Sequence, residues 1–298
     1  MNIAASVHQR LLDKAKKSSR PFNEFLQHFA IERFIYRLSK SNYSENFILK
    51  GALMFSAWGG SGSRPTMDID LLGKIDNNID VILVAMKTAC EMDVEADGIS
   101  FNSETVTAER IIEDAEYQGV RVRVQGNLGN ARITLQIDIG FGDIIVPGPS
   151  KIVYPVLLEF PAPELNGYTM ESTIAEKFHA MVRLGILNSR MKDFYDIWML
   201  SHAFDFKGEI LAEAIEKTLR NRNTPITINQ TVFESPFMCD RDKNTQWLGF
   251  AQRTKLIGAP ETFETVATVV KVFLEPVITS LAEKRVFHNI WIAPGPWR

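Results

Sequence analysis

The sequence predicts an α+β protein: a mixed β-sheet flanked by helices, followed by a mainly helical C-terminal region. Three observations carry this. A short apolar run, Phe47-Ile48-Leu49-Lys50, ends at Gly51 and gives way to a helical pattern. Two segments, Val120 to Val124 and Arg132 to Ile139, alternate with period two, and Gly126 with Asn127 to Asn130 supplies the hairpin turn between them. Beyond Pro163 the apolar residues recur at helical spacing instead.

In order, residues 6–40 read as two helices parted near Ser18-Ser19-Arg20-Pro21, with Phe25, Phe29, Ile31, Phe34, Ile35 and Leu38 near helical spacing in the second. Phe47 to Lys50 is a strand, Gly51 to Trp58 a helix, and Gly59 to Pro65 a glycine-rich loop. An acidic strand, Asp68-Ile69-Asp70-Leu71-Leu72, follows, and Ile79 to Met92 is helical. After the two alternating strands, Val146-Pro147-Gly148-Pro149 with Pro155, Pro161 and Pro163 suggests a linker laid over a surface. Asn221 to Pro236 reads as a long loop, Glu261 to Leu281 as a final helix, and the tail is rich in Pro and Trp. Three domains are expected: N-terminal helices packed on the core (1–45), the sheet-bearing core (46–165) and a helical C-terminal domain (166–298).

The chain has 298 residues, 45% hydrophobic and 23% charged, which suffices for one large or two ordinary domains. No run approaches the roughly 18 uninterrupted apolar residues of a membrane span, and the amino terminus lacks the pattern of a signal peptide. A cytoplasmic protein without a membrane partner is expected. Cys90 and Cys239 stand far apart in no metal or redox spacing, and the histidines at 8, 28, 179, 202 and 288 show no ligand spacing either. The net charge of −3 argues against indiscriminate coating of nucleic acid but leaves room for a local basic groove. His8, Arg10, Lys14, Lys16, Lys17 and Arg20 form one basic cluster and Lys217, Arg220 and Arg222 another; solvated helix faces are the default reading of each.

The chemistry centres on Asp68 and Asp70. Two carboxylates at i and i+2 of a strand point the same way, about 6 to 7 Å apart, and their repulsion is best relieved by a cation between them. That is a way to build a Mg²⁺ site for phosphoryl chemistry. The approach through Gly51, a helix start and a glycine-rich loop places backbone N–H groups where a triphosphate tends to lie, and Ser61, Ser63, Arg64 and Thr66 add donors. Asp138 shares parity with Gln136 and Thr134. If its strand pairs beside the acidic one, Asp138 becomes a third carboxylate, able to take the proton of an attacking hydroxyl or help hold a second metal. In the helix near Thr173, where Thr173 and Glu176 look like a capping box, Lys177 falls at the edge of the apolar stripe and must snorkel or meet an anion. In Lys192 to Leu200, Asp193 projects to the buried side, where it needs a cation or serves as a cap or partner of Arg190, Lys192 or Lys177.

Taken together, Glu32-Arg33-Phe34-Ile35-Tyr36-Arg37-Leu38-Ser39, Leu49-Lys50-Gly51-Ala52-Leu53, Arg64-Pro65-Thr66-Met67-Asp68-Ile69-Asp70-Leu71, Ala175-Glu176-Lys177-Phe178-His179-Ala180 and Lys192-Asp193-Phe194-Tyr195-Asp196-Ile197 resemble the AbiEii/AbiGii toxin family. These are nucleotidyltransferases of the polymerase-β-like superfamily found in type IV toxin–antitoxin and abortive-infection systems. The resemblance spans roughly residues 5 to 205. It implies a polymerase-β-like nucleotidyltransferase core with its glycine turn at Gly51-Ala52, preceded by Lys50, and its metal carboxylates at Asp68 and Asp70. It also implies that Lys177 and an aspartate of the Asp193/Asp196 helix complete the site. The chain departs from the family pattern at Ala52, usually Gly or Ser, at Lys192, usually Arg, and in its longer gap from Gly51 to Asp68.

The expected activity is therefore transfer of a nucleoside monophosphate from an NTP to an acceptor, with Mg²⁺, or Mn²⁺ in its place, held by Asp68, Asp70 and Asp138. Catalytic roles fall to those three and to Lys177, Asp193 and Asp196; nucleotide contacts fall to Lys50, Gly51, Ala52, Arg64, Thr66 and Lys177. The resemblance points to RNA as acceptor, the 3′ end of tRNA in particular, and to a cognate antitoxin as partner. Two alternatives stay open: a nucleotide- or RNA-binding module of weak turnover acting through a protein partner, and transfer to a protein hydroxyl.

Overall fold

The computed structural model describes residues 2–59, 66–112, 118–256 and 258–298. They form two compact units: the first runs through residue 168 apart from 143–148, and the second comprises 143–148 and residues from 169 onward.

The first unit opens with α1 (Ile3–Ser18), which Asn2 caps by accepting from the Ala5 N–H, and α2 (Phe22–Lys40). Pro21 separates them, as the sequence predicts. There follow β1 (Phe47–Lys50), α3 (Leu53–Ala57), β2 (Asp68–Gly73), α4 (Ile79–Glu91), β3 (Ile99–Ile112), β4 (Gln118–Leu128), β5 (Ala131–Phe141), β6 (Ser150–Val153) and β7 (Glu164–Gly167). The strands make one seven-stranded mixed sheet in the order β3-β4-β5-β2-β1-β7-β6. β2 sits in the middle, antiparallel to β1 and parallel to β5. Ile69, Leu71, Ile137, Ile139, Val120 and Val122 are fully buried, because alternate residues of these strands face the core under the helices. Both α2 and α4 pack against the sheet. The Gln27 amide donates to the carbonyls of Met67 and Thr134, tying α2 to the entry of β2 and to β5.

Two departures from the sequence expectation stand out here. Residues 99–112 are a long strand, disguised in the sequence by a register irregularity between Asn102 and Thr107 and by the polar run between them. The proline-rich stretch is more than a linker, since it contains β6 and leads into β7. Proline there is confined to the connections, where no ladder hydrogen bond is lost.

The second unit contains α5 (Met170–Leu184), α6 (Met191–Ala203), β8 (Phe206–Lys207), α7 (Gly208–Asn221), α8 (Ser235–Met238), α9 (Arg241–Thr254), α10 (Phe263–Ala282) and β9 (Ile290–Trp291). α5 begins one turn before the expected capping box: Thr169 is the cap, accepting from the Ser172 N–H and donating to the Val146 carbonyl, while Thr173 lies buried within the helix. α10 packs its buried Phe263, Val266, Val270, Phe273 and Leu274 within this unit, against α6, α7 and α9. Among the described residues it alone is long and apolar enough, by length and composition, to cross a membrane. Lys271 and Glu275 break the apolar run and hide that average from a search for uninterrupted stretches. Both cysteines are free thiols. The whole is the α+β class that the sequence predicts.

Buried charge in α2 is incompletely balanced. Glu32 accepts the Leu157 N–H through one carboxylate oxygen; the other lies 3.3 Å from Arg33 Nε, without hydrogen-bond alignment. Burial pushes its pKa from 4.5 to about 7, against the opposing pull of that N–H and of Arg33. Its stabilising contribution is thus fully present below pH 4.5 and is lost as pH rises through about 7. His28, drawn down by burial and by Arg20 to about 4, works the other way: its contribution is present above pH 6.5 and lost as pH falls through about 4. Glu32→Gln removes only the first dependence. The unfolding free energy in urea, variant minus wild type, should therefore rise by up to about 3 kcal/mol between pH 4.5 and pH 8; a flat difference contradicts the assignment.

Candidate active site

Strand pairing builds the first constellation. Asp68 and Asp70 share one face of β2 while Ile69 and Leu71 fill the other. The β1 register sets Lys50 opposite Asp70, and the parallel β5 register sets Asp138 on Asp70's other side, the pairing on which its expected role depended. β4 then brings Arg121 opposite Asp138, and β3 brings Glu109 opposite Arg121. One row across five strands reads Lys50, Asp70, Asp138, Arg121, Glu109. Asp68, Gln136 and Arg123 form the adjacent row.

The turn before α3 explains why residue 51 is glycine. Gly51 has φ +70°, and a Cβ added there would lie 2.0 Å from Asp70 Oδ2. The Asp70 carboxylate occupies the side-chain space of residue 51. Ala52, nearly buried, is the residue before α3, which spans only five residues and so has little macrodipole to offer an anion. The close backbone approach at Gly51 matters more. The Lys50 ammonium lies 5.3 Å from the centre of the Tyr168 ring, and the Thr66 hydroxyl donates to the Asp68 carbonyl at 3.4 Å. Arg64, with Ser61 and Ser63, lies outside the described residues.

Asp138 is 9% exposed and heavily engaged. Arg121 donates to both its oxygens, Nε to Oδ1 and Nη2 to Oδ2, each at 2.8 Å, and the Gln136 amide donates to Oδ2 at 3.3 Å. Among the described residues no group of three or more His, Cys, Asp or Glu side chains is placed to hold a metal. The donor set of Asp68 and Asp70 fits a hard divalent cation that completes its shell with water and phosphate oxygens, rather than one caged by protein.

The second constellation belongs to the helical unit. Lys177 of α5 reaches Asp193 Oδ1 at 3.0 Å and Asp196 Oδ2 at 2.7 Å, both on α6 and both 1% exposed. Arg190 Nε holds Asp193 Oδ2 at 2.7 Å. Two buried carboxylates thus face the cations Lys177 and Arg190. Burial alone would raise the Asp193 pKa, but the charges of Lys177 and Arg190 outweigh it and hold the carboxyl below its ordinary value. The ion pairs with Lys177 and Arg190 are among the roles that the sequence offers for Asp193; Lys192 lies on the exposed side.

Two groupings escaped the sequence. Arg121 was legible in principle: counting outward from the two-residue turn at Gly129-Asn130 places it opposite Asp138. The other joins Asp143, whose carboxylate accepts from Arg222 Nη2 at 2.7 Å, to His179, which lies 3.2 Å from Arg222 Nη1 through Nδ1 and 3.0 Å from the Thr224 hydroxyl through Nε2. These residues are distant in sequence and carry no shared pattern.

A family model described as nucleotidyl transferase AbiEii toxin, type IV TA system, matches residues 33–269. The chain belongs to the AbiEii family. It is a nucleotidyltransferase, and the matched span includes Asp68, Asp70, Asp138, Lys177, Asp193 and Asp196. No curated protein matches it. Among solved structures, JHP933 from Helicobacter pylori is 16% identical, the match covering 88% of this chain and 94% of that one at a TM-score of 0.48. A candidate nucleotidyltransferase from H. pylori is 15% identical, covering 89% and 99%, also at 0.48.

Two outcomes follow for this AbiEii chain. Gly51→Ala should displace the Asp70 carboxylate and lower nucleotidyl transfer by about 100-fold or more, with a folded circular dichroism spectrum; retained activity would show that the close approach is dispensable. Lys177→Met removes the ion pairs to Asp193 and Asp196, while Arg190 still holds Asp193, and should cost about 3 to 5 kcal/mol of unfolding free energy at pH 7. Because the Asp193 pKa is depressed, the wild-type contribution is present above the unfolded carboxyl pKa of about 3.9 and is lost as pH falls through the lower folded value. The deficit of the variant should therefore shrink only once the pH falls below about 3.9, which urea titrations at about pH 7 and about pH 2.5 measure.

Proposed function

We propose that this AbiEii chain is a Mg²⁺-dependent enzyme that transfers a nucleoside monophosphate from an NTP to RNA, the 3′ end of tRNA being the acceptor end, and that it acts in the cytoplasm as a toxin countered by a cognate antitoxin. The observation that carries the metal and phosphate part is the Asp68/Asp70 pair on one face of β2, with Asp70 lodged over Gly51. The family description supports the toxin role and the transfer chemistry.

Asp68 and Asp70 hold the metal, Mg²⁺ or Mn²⁺. When bound, such an ion neutralises charge on the phosphates and makes the attacking hydroxyl more acidic. Nucleotide contacts are assigned to Gly51, whose missing side chain makes room for the Asp70 carboxylate, to Lys50 before it, and to Thr66 at the entry of β2. From the resemblance we assign a catalytic role to Lys177 as well, ion-paired with Asp193 and Asp196 within the helical unit.

The test incubates the protein with Mg²⁺, each labelled NTP in turn, and total RNA or total protein. Label should enter RNA, and Asp70→Ala should reduce transfer on the order of 10³-fold, the size expected when several kcal/mol of transition-state stabilisation is lost. Equal transfer by Asp70→Ala would refute the site. Label confined to protein would replace the acceptor, and NTP binding without any product would make the chain a binding module.

A further inference from the structure

We propose that Asp138 is not a metal ligand but an anchor that presents Arg121 as a phosphate-binding residue beside Asp68 and Asp70. This rests on the reading of Asp68 and Asp70 as the metal and phosphate site. The register places Asp70, Asp138 and Arg121 side by side on one face, with Arg121 two strands from Asp70, about 9 to 10 Å between backbones. An arginine side chain spans most of that distance.

Both oxygens of Asp138 are occupied in a forked pair, and Gln136 adds a third donor to Oδ2. A cation at Asp138 would have to displace a guanidinium and then sit beside it. The fork is also directional. It engages Nε and one N–H of Nη2, leaving three of the five guanidinium donors pointing away from Asp138. The Arg121 side chain is 31% exposed, so these donors are open to a ligand, whereas the Asp138 side chain beneath is 11% exposed.

The electrostatics agree with that geometry. The hydrogen bond to Asp138 is the largest influence raising the Arg121 pKa, and Asp68 is among the charges that reinforce it. The guanidinium therefore lies within electrostatic reach of the proposed metal pair. Arg123, the next position on the same face, is used differently: it pairs with Glu109 at 2.7 Å in a largely exposed bridge. A planar fork held rigidly by one carboxylate can offer its outer edge to a phosphate with little further loss of side-chain freedom. That phosphate is either on the NTP or on the acceptor backbone.

The experiment uses the full chain and four readouts: Mn²⁺ binding by electron paramagnetic resonance without nucleotide, binding of an α,β-nonhydrolysable NTP, binding of a short single-stranded RNA, and the urea midpoint. Arg121→Ala and Asp138→Asn should each weaken the NTP or the RNA by about tenfold or more and leave Mn²⁺ affinity within about twofold of wild type. Loss with the NTP alone assigns the triphosphate; loss with RNA alone assigns the acceptor backbone. Arg121→Lys should fail to restore binding, since an ammonium cannot fork. The exchanged pair, Arg121→Asp with Asp138→Arg, should recover the urea midpoint but not the lost affinity. The proposal is overturned if Asp138→Asn weakens Mn²⁺ as Asp70→Asn does, if Arg121→Ala leaves both ligands at wild-type affinity, or if the exchanged pair restores binding along with stability. Unchanged Mn²⁺ binding in Asp70→Asn instead refutes the underlying metal site, a separate result.

Discussion

The Asp70 carboxylate sits where a side chain at residue 51 would be, and the sheet-bearing unit is organised around that contact. It requires glycine at 51 with positive φ, and it requires Lys50 and Asp70 to remain partners, because a slip of one residue would turn Asp68 and Asp70 into the apolar core and bring Ile69 and Leu71 out. Placing β2 between β1 and β5 satisfies both needs. The hydrophobic residues on the reverse face, fully buried under α2 and α4, resist the slip. Core packing and site geometry are thus secured by the same register.

Charge is buried in three ways, and each says something different. In the helical unit, Lys177 and Arg190 face Asp193 and Asp196, and the Asp193 pKa falls despite burial. In the sheet unit, Arg121 and Asp138 form a forked pair at the border of solvent, where the arginine keeps donors available. Glu32 has the least compensation: one backbone donor and a poorly aligned neighbour do not offset full burial, and its pKa rises. A buried carboxyl titrating near neutrality in α2 makes that helix a pH-dependent element of the unit's stability.

The sequence was most legible where a local rule acts alone. Pro21 parts α1 from α2, alternation marks β4 and β5, and the parity of Asp68 and Asp70 follows from the pleat. It was least legible where pairing partners decide. β3 carries an irregularity that breaks its period, β6 and the start of β7 hide among prolines, and the cap of α5 moved to Thr169 because that hydroxyl also bonds the Val146 carbonyl, a contact invisible to a four-residue motif.

By itself, then, the sequence determined the fold class, the shared face of Asp68 and Asp70, the buried side of Asp193 and, through five short motifs in order, the family. These follow from strand and helix periodicity and from residue chemistry, which are local. The tertiary structure decided what those residues touch. It set Asp138 beside Asp70 and gave both its oxygens to Arg121, gave Lys177 to two aspartates at once, and joined Asp143, His179, Arg222 and Thr224 into one network. Hydrogen-bond partners depend on register and packing between segments tens of residues apart, and no local period records them.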